Sequence, residues 1–549
     1  MYVAFLFVEF SWVQIFMRLK EALSVMSKSS PYAVSTERAE INKDKFDEVK
    51  DYLYIDMPIA EAVEKRISCF SANKPEVLFL CGSSGDGKSE LLTACKKKYR
   101  TRAHFHLDAT HSFDPRENAI QTLDKVFEEY LSQSKPLVVG INTGMLGNYA
   151  EEGSNEIFKS TIKNYLESGK DVDGVYFIDF ERFPKFVIDD SGYVSIFAEK
   201  LLKKLTARED NLIRQIYDKD KLECSDVDSR RLHANYELLS LPAVQRTVID
   251  LLFKARLMQD QFVTARSLLD FIFMLIAGPG YLFDNLFSGG DNELANKVVE
   301  FDPAHLRTKK IDRFILASDL GLPDTEFEEF NFHLKELGVE NLKTSHSYLR
   351  LFYILKGEDY ANNYHERFSQ DFSQSLIDEY INIYQKHRDY DNSDECRSVI
   401  RDFCNNTLRT AIRKYNNRNA PNLLKGHYLI SEKNGYQLVA KLDIKPDLKN
   451  VISPPIHQIS FFTASICVGS KSLTIPVNIN LLQLMKRIVD GYRPNKHDKN
   501  TVVLLDELVE KISKIANQET TLHIINGSQH ITVTDDEDDK YEVSGLNND

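Results

Sequence analysis

No two cysteines of this chain stand in C-x-x-C spacing, and their number is odd: Cys69, Cys81, Cys95, Cys224, Cys396, Cys404 and Cys467 make seven. That pattern argues against a zinc ribbon and a disulfide framework; buried thiols of a reducing compartment, the cytoplasm, are the expectation. Tryptophan occurs once, at Trp12. The apolar run Tyr2–Val8 is broken by Glu9 and falls short of the roughly 20 residues of a membrane span. No basic segment precedes it and no small-residue cleavage site follows, so neither a signal peptide nor a membrane association is expected. An excess of positive charge is also missing: 69 Lys+Arg against 82 Asp+Glu leave a net charge of −13. This argues against a surface that coats itself with nucleic acid, though a local basic patch remains compatible with it. Internal repeats and long low-complexity linkers are absent. What remains is an ordinary globular composition, 42% hydrophobic and 28% charged, over 549 residues. That length is too great for one core, and three or four domains are expected.

The most informative stretch is Val77–Ser89, an apolar run followed by G-x-x-x-x-G-K-S and then the helical pattern Glu90, Leu91, Leu92, Cys95, Tyr99. Strand before and helix after are the context a P-loop requires. Gly82, Gly85 and Gly87 allow successive N–H groups to turn inward around phosphate oxygens, with Ser83, Ser84 and Asp86 between them. The helix beginning near Lys88 adds its positive end at the same place. Lys88 is expected to reach the β- and γ-phosphates and the Ser89 hydroxyl to sit on Mg²⁺, making ATP and Mg²⁺ the expected ligands. The plain alternative is a glycine turn between a strand and a helix.

Around this stretch the expected fold is an α/β P-loop NTPase, a parallel sheet with helices on both faces, followed by a helical region and a C-terminal α+β module. Residues 1–16 read as an upstream-start extension, with Met17 as the natural start. Residues 17–70 read as a helical segment and 71–205 as the NTPase core. A helical lid-like region (206–345), a helical domain (346–425) and an α+β domain (426–549) follow. In the core, apolar runs at 103–110, 136–142 and 175–181 alternate with helical patterns at 115–131, 157–166 and 196–205. Ligands of such sheets bind at the carboxyl ends of the strands, which puts Gly82–Ser89, Asp108, Asn142 and Asp179 on one edge. In the last domain, Asn434-Gly435 and Asn526-Gly527 each lie between apolar runs and predict two hairpins. The acidic run Asp535–Asp539 reads as a solvated turn.

A P-loop enzyme needs an acidic group at a strand end beside Mg²⁺ and a polar group to orient the attacking water. No clean apolar run ending in Asp-Glu is present. Asp108 is preferred as the metal-side carboxylate, with Asp179 the alternative because it follows three strands; either Asp also reads as a helix cap or turn former. Asn142 stands where a water-orienting residue would be, or is a turn residue before Thr143-Gly144. Arg266 opens the apolar helix near 265–277, where the dipole disfavours a cation. It reads as a lid arginine reaching the γ-phosphate, or as the i,i+4 partner of Asp270. Two basic stretches, Lys96–Arg102 and Arg409–Lys425 with Tyr415 interleaved, read as nucleic-acid contacts or as helix-end cations. Asp443-Ile444-Lys445 fits half of a metal-dependent nuclease core, with Glu432 across the hairpin turn.

Four runs carry a family resemblance: MRLKEALSVMSKSSPY (Met17–Tyr32), CGSSGDGKSE (Cys81–Glu90), FHLDATHSF (Phe105–Phe113) and GINTGMLGNY (Gly140–Tyr149). Together they resemble the DptF family of DNA phosphorothioation-dependent restriction proteins, from Met17 to near the end. The second run is common to many ATPases; the other three are the specific part. The resemblance implies a bacterial anti-phage system in which companion enzymes replace a non-bridging phosphate oxygen of DNA with sulfur. It further implies that DptF acts with DptG and DptH on DNA lacking that mark. The chain would then be the ATPase subunit, contacting DNA through the complex, with homo-oligomerisation left open. Against it stand a nucleotide-gated signalling or scaffold protein that hydrolyses little, a nuclease subunit using Glu432, Asp443 and Lys445, and a small-molecule phosphotransferase. The long helical and α+β extensions disfavour the last.

Overall fold

A computed structural model describes residues 17–30, 45–71, 75–110, 116–132, 135–172, 174–190, 192–340, 342, 344–358, 364–373, 375–527, 529–536 and 540–545. The 1–16 extension, Pro31, Pro115 and residues 537–539 of the acidic run lie outside the described residues. The chain divides into two units. The first takes the described residues up to Lys185, Ser195–Ala255 and Gln261–Ser373; the second takes Phe186–Val194, Arg256–Asp260 and the residues from 375 on.

The first unit is built on four strands, β1 (Val77–Gly82), β2 (His104–His106), β3 (Leu137–Asn142) and β4 (Val175–Asp179), in the order β2-β3-β1-β4. Every pairing is parallel: Val77 faces Leu137 on one side and Val175 on the other, while His104 faces Leu137. All six residues of β1 are buried, as a continuous apolar run in a doubly covered sheet should be. Alternation sends Val77, Phe79 and Cys81 toward one layer, formed by helices Ala119–Ser132, Thr143–Glu152 and Glu156–Ser168. Leu78 and Leu80 face the other layer, where helices Pro58–Ser68 and Lys88–Tyr99 pack. The expected α/β sheet with helices on both faces is therefore present.

Phe79 anchors the first layer. Its ring stacks on Phe177 at 5.1 Å and meets Phe127 edge-on at 6.0 Å, and Phe127 stacks on Phe158 at 4.1 Å. Phe79→Ala is expected to lower stability by about 3–5 kcal/mol, measured as a shift of the urea midpoint at unchanged slope. On the opposite side of β3, Gly140 is held to hydrogen by crowding. A Cβ there would lie 2.5 Å from the Leu107 carbonyl oxygen and 2.8 Å from Leu92. This close approach lets the 107–109 segment cross β3, with the Ala109 amide donating to the Gly140 carbonyl at 2.8 Å.

Two sequence expectations are corrected within the core. Thr143-Gly144 is not a turn but the first turn of helix Thr143–Glu152, with Asn142 as its cap. The run after Asp179 is not strand but the short 3-10 turn Phe180–Arg182.

Beyond the sheet the first unit is helical, and the starts are written in the sequence as caps. Ser195, Asn211, Asp226, Thr264, Asp324 and Thr344 each accept from a backbone amide of the following first turn. Arg350 joins two of the later segments, donating to Asp284 at 2.8 Å and to Asp302 at 2.6 Å.

The second unit begins with the small hairpin β5 (Val187–Asp189) and β6 (Gly192–Val194). Arg388 holds it through Asp190 at 2.9 Å. Strands β7 (His427–Lys433) and β8 (Tyr436–Lys441) form the first predicted hairpin, with Asn434 at φ +54° and Gly435 at φ +82° in the turn. Strands β9 (Ile444–Pro446), β10 (Phe462–Val468) and β11 (Lys471–Val477) make a separate antiparallel sheet. The second predicted hairpin is β12 (Thr521–Asn526) with β13 (Gln529–Asp536), extended by β14 (Lys540–Ser544). Because β12 pairs with β8, the two hairpins fuse into one five-stranded sheet, β14-β13-β12-β8-β7. Asp535 and Asp536 belong to β13, so the acidic run is part strand.

Candidate functional site

At the carboxyl end of β1 the chain turns through the glycine-rich loop into helix Lys88–Tyr99. Gly85 (φ +83°) and Gly87 (φ +100°) take left-handed angles that other residues adopt at a cost. Gly87 is the helix N-cap and no side chain caps this end, so first-turn amides are left to point at an anion. A Cβ at Gly87 would meet nothing within 4 Å; the space beside it is the cavity. Lys88 curls over the loop, its ammonium donating to the carbonyls of Gly82 at 3.0 Å and Ser83 at 2.8 Å. Burial holds the Lys88 pKa below its ordinary 10.5, opposed by the carboxylates of Asp86, Asp108 and Asp179.

Asp86, read from sequence as part of the phosphate cradle, lines the cavity and also braces the loop. Its side chain is 2% exposed and accepts from the Ser83 amide at 2.7 Å and the Lys185 ammonium at 2.8 Å. Lys185 stands 99 residues away in the chain, and no local pattern marks it. A buried charge needs a partner, and only the fold supplies this one.

The cavity beside the loop holds about 460 Å³. Ser84 to Leu91 form one side, and Lys50, Asp108, Thr110, Asn142, Lys185 and Arg266 complete its polar wall. Val25, Met26, Tyr54, Met57, Phe197 and Leu269 make an apolar wall. Gly82 and Ser83 do not line it; they serve through the carbonyls that hold Lys88. Asp108 accepts from the Thr110 amide at 2.9 Å and hydroxyl at 2.5 Å. Asn142 accepts from the Met145 amide at 2.6 Å. Each therefore does the turn-forming or capping work weighed for it while also facing the cavity.

Asp179 departs from the expectation. Its strand is the immediate neighbour of β1, with Cys81 opposite Asp179, whereas β2 lies beyond β3. Chain order is thus a poor guide to distance in this sheet. Even so, Asp179 is turned to cap Phe180–Arg182 through the Glu181 amide at 3.0 Å and does not line the cavity, while Asp108 does.

Arg266 opens helix Ala265–Ala277 directly on the loop, its amide donating to the Gly85 carbonyl at 3.1 Å. Asp270 is engaged elsewhere, accepting from the Lys28 amide at 2.8 Å and the Asn292 side chain at 2.7 Å. Two helix starts therefore converge on the cavity, with four cationic residues, Lys50, Lys88, Lys185 and Arg266, among its lining; Lys50 is paired to Glu90 at 3.2 Å. The arrangement suits a multiply charged oxyanion carrying an apolar group.

Ser89 and Asp108 both line this cavity. These are hard oxygen donors of the kind Mg²⁺ takes alongside phosphate oxygens and water. Among the described residues no group of three or more His, Cys, Asp or Glu could hold a metal ion.

The nuclease constellation does not assemble. Glu432 faces Gln437 in the β7–β8 hairpin, while Lys445 is in β9 of the other sheet, and Asp443 is ion-paired to it at 2.5 Å. In the Lys96–Arg102 cluster, Lys98 pairs with Glu64 at 2.5 Å and Arg102 donates to the Ser68 carbonyl at 3.0 Å, tying it to helix Pro58–Ser68. Among the described residues no helix is long and apolar enough to cross a membrane. Compared with family models, curated proteins and solved structures, the chain finds no match in any of the three.

Proposed function

We propose that the first unit binds a nucleoside triphosphate on the Gly82–Ser89 loop and hydrolyses it. On the strength of the DptF resemblance, we further propose that the chain is the ATPase subunit of a phosphorothioation-dependent restriction complex. The observation that carries the first part is one cavity in which an uncapped helix start, the Lys88 ammonium, Ser89, Asp108 and Arg266 meet beside an apolar wall. Lys88 would exchange its two loop carbonyls for β- and γ-phosphate oxygens, and the first-turn amides would take the rest of that charge. Arg266, which lines the same cavity, would reach the terminal phosphate. The Asn142 amide nitrogen would steady the attacking water, its oxygen being spent on Met145. Ser89 and Asp108 are the residues that would hold Mg²⁺, whose chemistry is to neutralise charge on the phosphates.

One observation favours a second reading, a nucleotide-gated protein with little turnover. Asp108 Oδ1 takes both Thr110 donors and Asn142 Oδ1 takes the Met145 amide. Those acceptors are therefore occupied. Calorimetric titration with MgATP, paired with a phosphate-release assay, separates the two. Binding with turnover supports the enzyme, binding alone the gated protein, and absence of binding removes both. For the complex, turnover is measured with DptG, DptH and either modified or unmodified DNA; equal rates throughout overturn the coupling.

A pH dependence follows from Lys88. Phosphates favour its charged form, so binding raises the pKa that burial lowers. Affinity is therefore full below that lowered pKa and falls as pH rises through it toward 10.5. ATP titrations from neutral to alkaline pH are expected to weaken progressively, with a smaller slope in Lys88→Arg.

A further inference from the structure

The second unit carries a cavity of about 460 Å³ between the ends of two helices, Arg409–Asn416 and Ile479–Val489. Arg413, Lys414, Arg418 and Arg493 line it together with Tyr415 and Tyr492, and no carboxylate does. In a chain where acids outnumber bases 82 to 69, that composition is not a reflection of the average.

Helix dipoles explain part of it, because cations are favoured at helix C-termini. Lys414 is used in that way, donating to the Val489 carbonyl at 2.6 Å. Arg418 donates to the Tyr415 carbonyl at 3.0 Å and lies over the Tyr415 ring at 4.4 Å. Arg413 and Arg493 are different. Among the described residues neither is in an ion pair, and Arg493 is in the loop beyond its helix. Of the acids nearby, Asp506 takes the Tyr415 hydroxyl at 2.7 Å and Asp498 takes that of Tyr492 at 2.7 Å, while the exposed Asp490 does not line the cavity.

The floor beneath these cations is fixed. Asn417 donates to the His427 carbonyl at 2.8 Å and accepts from the Leu429 amide at 2.9 Å, and Asn416 donates to the Leu429 carbonyl at 3.0 Å. Just before the arginine-bearing helix the chain makes a π-helical turn, Phe403–Leu408, a local irregularity frequent at functional sites.

We propose that this cavity is a nucleic-acid site of the second unit, taking the phosphate of a single strand between Arg413 and Arg493. Guanidinium forks match phosphate oxygens two at a time. The Arg418 plane, backed by Tyr415, offers a base a flat cationic surface. The volume suits one nucleotide rather than a duplex. With the rest of the chain acidic, binding is local and steeply salt-dependent. This proposal stands apart from the glycine-loop reading: no residue is shared.

The test is fluorescence anisotropy of a labelled dT12 strand with the full chain at 50 and 200 mM salt, beside competition by thymidine monophosphate. Arg413→Gln/Arg493→Gln is expected to weaken strand binding about tenfold or more. It should also reduce the salt slope by about 0.7 for each phosphate that is no longer neutralised. Arg493→Glu, in an exposed loop, repeats the loss without disturbing a helix, and an unchanged melting temperature confirms folding. Basal ATP turnover of these variants should match the wild type. No strand binding at 50 mM salt, or double-variant binding within twofold of wild type, overturns the proposal. Equal affinity for the monophosphate and the strand overturns the strand and leaves a mononucleotide pocket.

Discussion

Lys88→Ala is expected to lower ATP turnover by about 10²–10³-fold, the scale on which removing one preorganised charge donor from a reacting oxyanion is felt. The reason is the position of the ammonium. It is held by two loop carbonyls, Gly82 at 3.0 Å and Ser83 at 2.8 Å, so it is already over the loop before any phosphate arrives. Once those two carbonyls have been exchanged for phosphate oxygens on binding, the ammonium is in place when charge develops. Phosphate release under saturating MgATP measures the loss. Lys88→Arg keeps the charge but not its compact shape, and should recover binding more than turnover. Turnover within threefold of wild type in the alanine variant would show that the loop is not where the chemistry happens.

The second large effect concerns stability. Arg350→Leu is expected to destabilise the first unit by about 3–5 kcal/mol, because removing one partner of a buried pair leaves an uncompensated charge. The charge left behind is Asp302, whose side chain is 1% exposed. Arg350 bridges it to Asp284, and Ser347 donates to Asp284 at 3.0 Å. Asp302 also caps the turn Pro303–His305 through the Ala304 amide at 2.9 Å. Chemical denaturation measures the loss. Arg350→Leu/Asp302→Asn, which removes the stranded charge, should be less destabilised than the single variant.

These outcomes depend unequally on what the sequence makes legible. Strand β1, the loop and both Asn-Gly hairpins are readable because each is specified within about a dozen residues: an apolar run, spaced glycines, a turn pair. Helix Thr143–Glu152 escapes because Asn-Thr-Gly has the composition of a turn, and only the bond from the Met145 amide to Asn142 identifies a cap. The hairpin of β10 and β11 escapes for a related reason. Its turn, at Gly469 with φ +59°, lacks the Asn-Gly pair. Strand order lies further from reach. Asp179 follows three strands in sequence yet is one strand from the loop, since β4 enters the sheet on the free side of β1. Lys185 is beyond any local pattern, being specified only by the buried carboxylate of Asp86 that it meets.

The cavity is also completed from the far end of the chain. Val25 and Met26 stand in its apolar wall, and the Lys28 amide is fastened to Asp270 on the helix Ala265–Ala277 that carries Arg266. Removing the segment that carries Val25, Met26 and Lys28 would take away part of that wall and the Asp270 tie together. A chain lacking the residues up to Lys28 is therefore expected to bind the ligand of this cavity more weakly than the full chain, as titration of the two would measure.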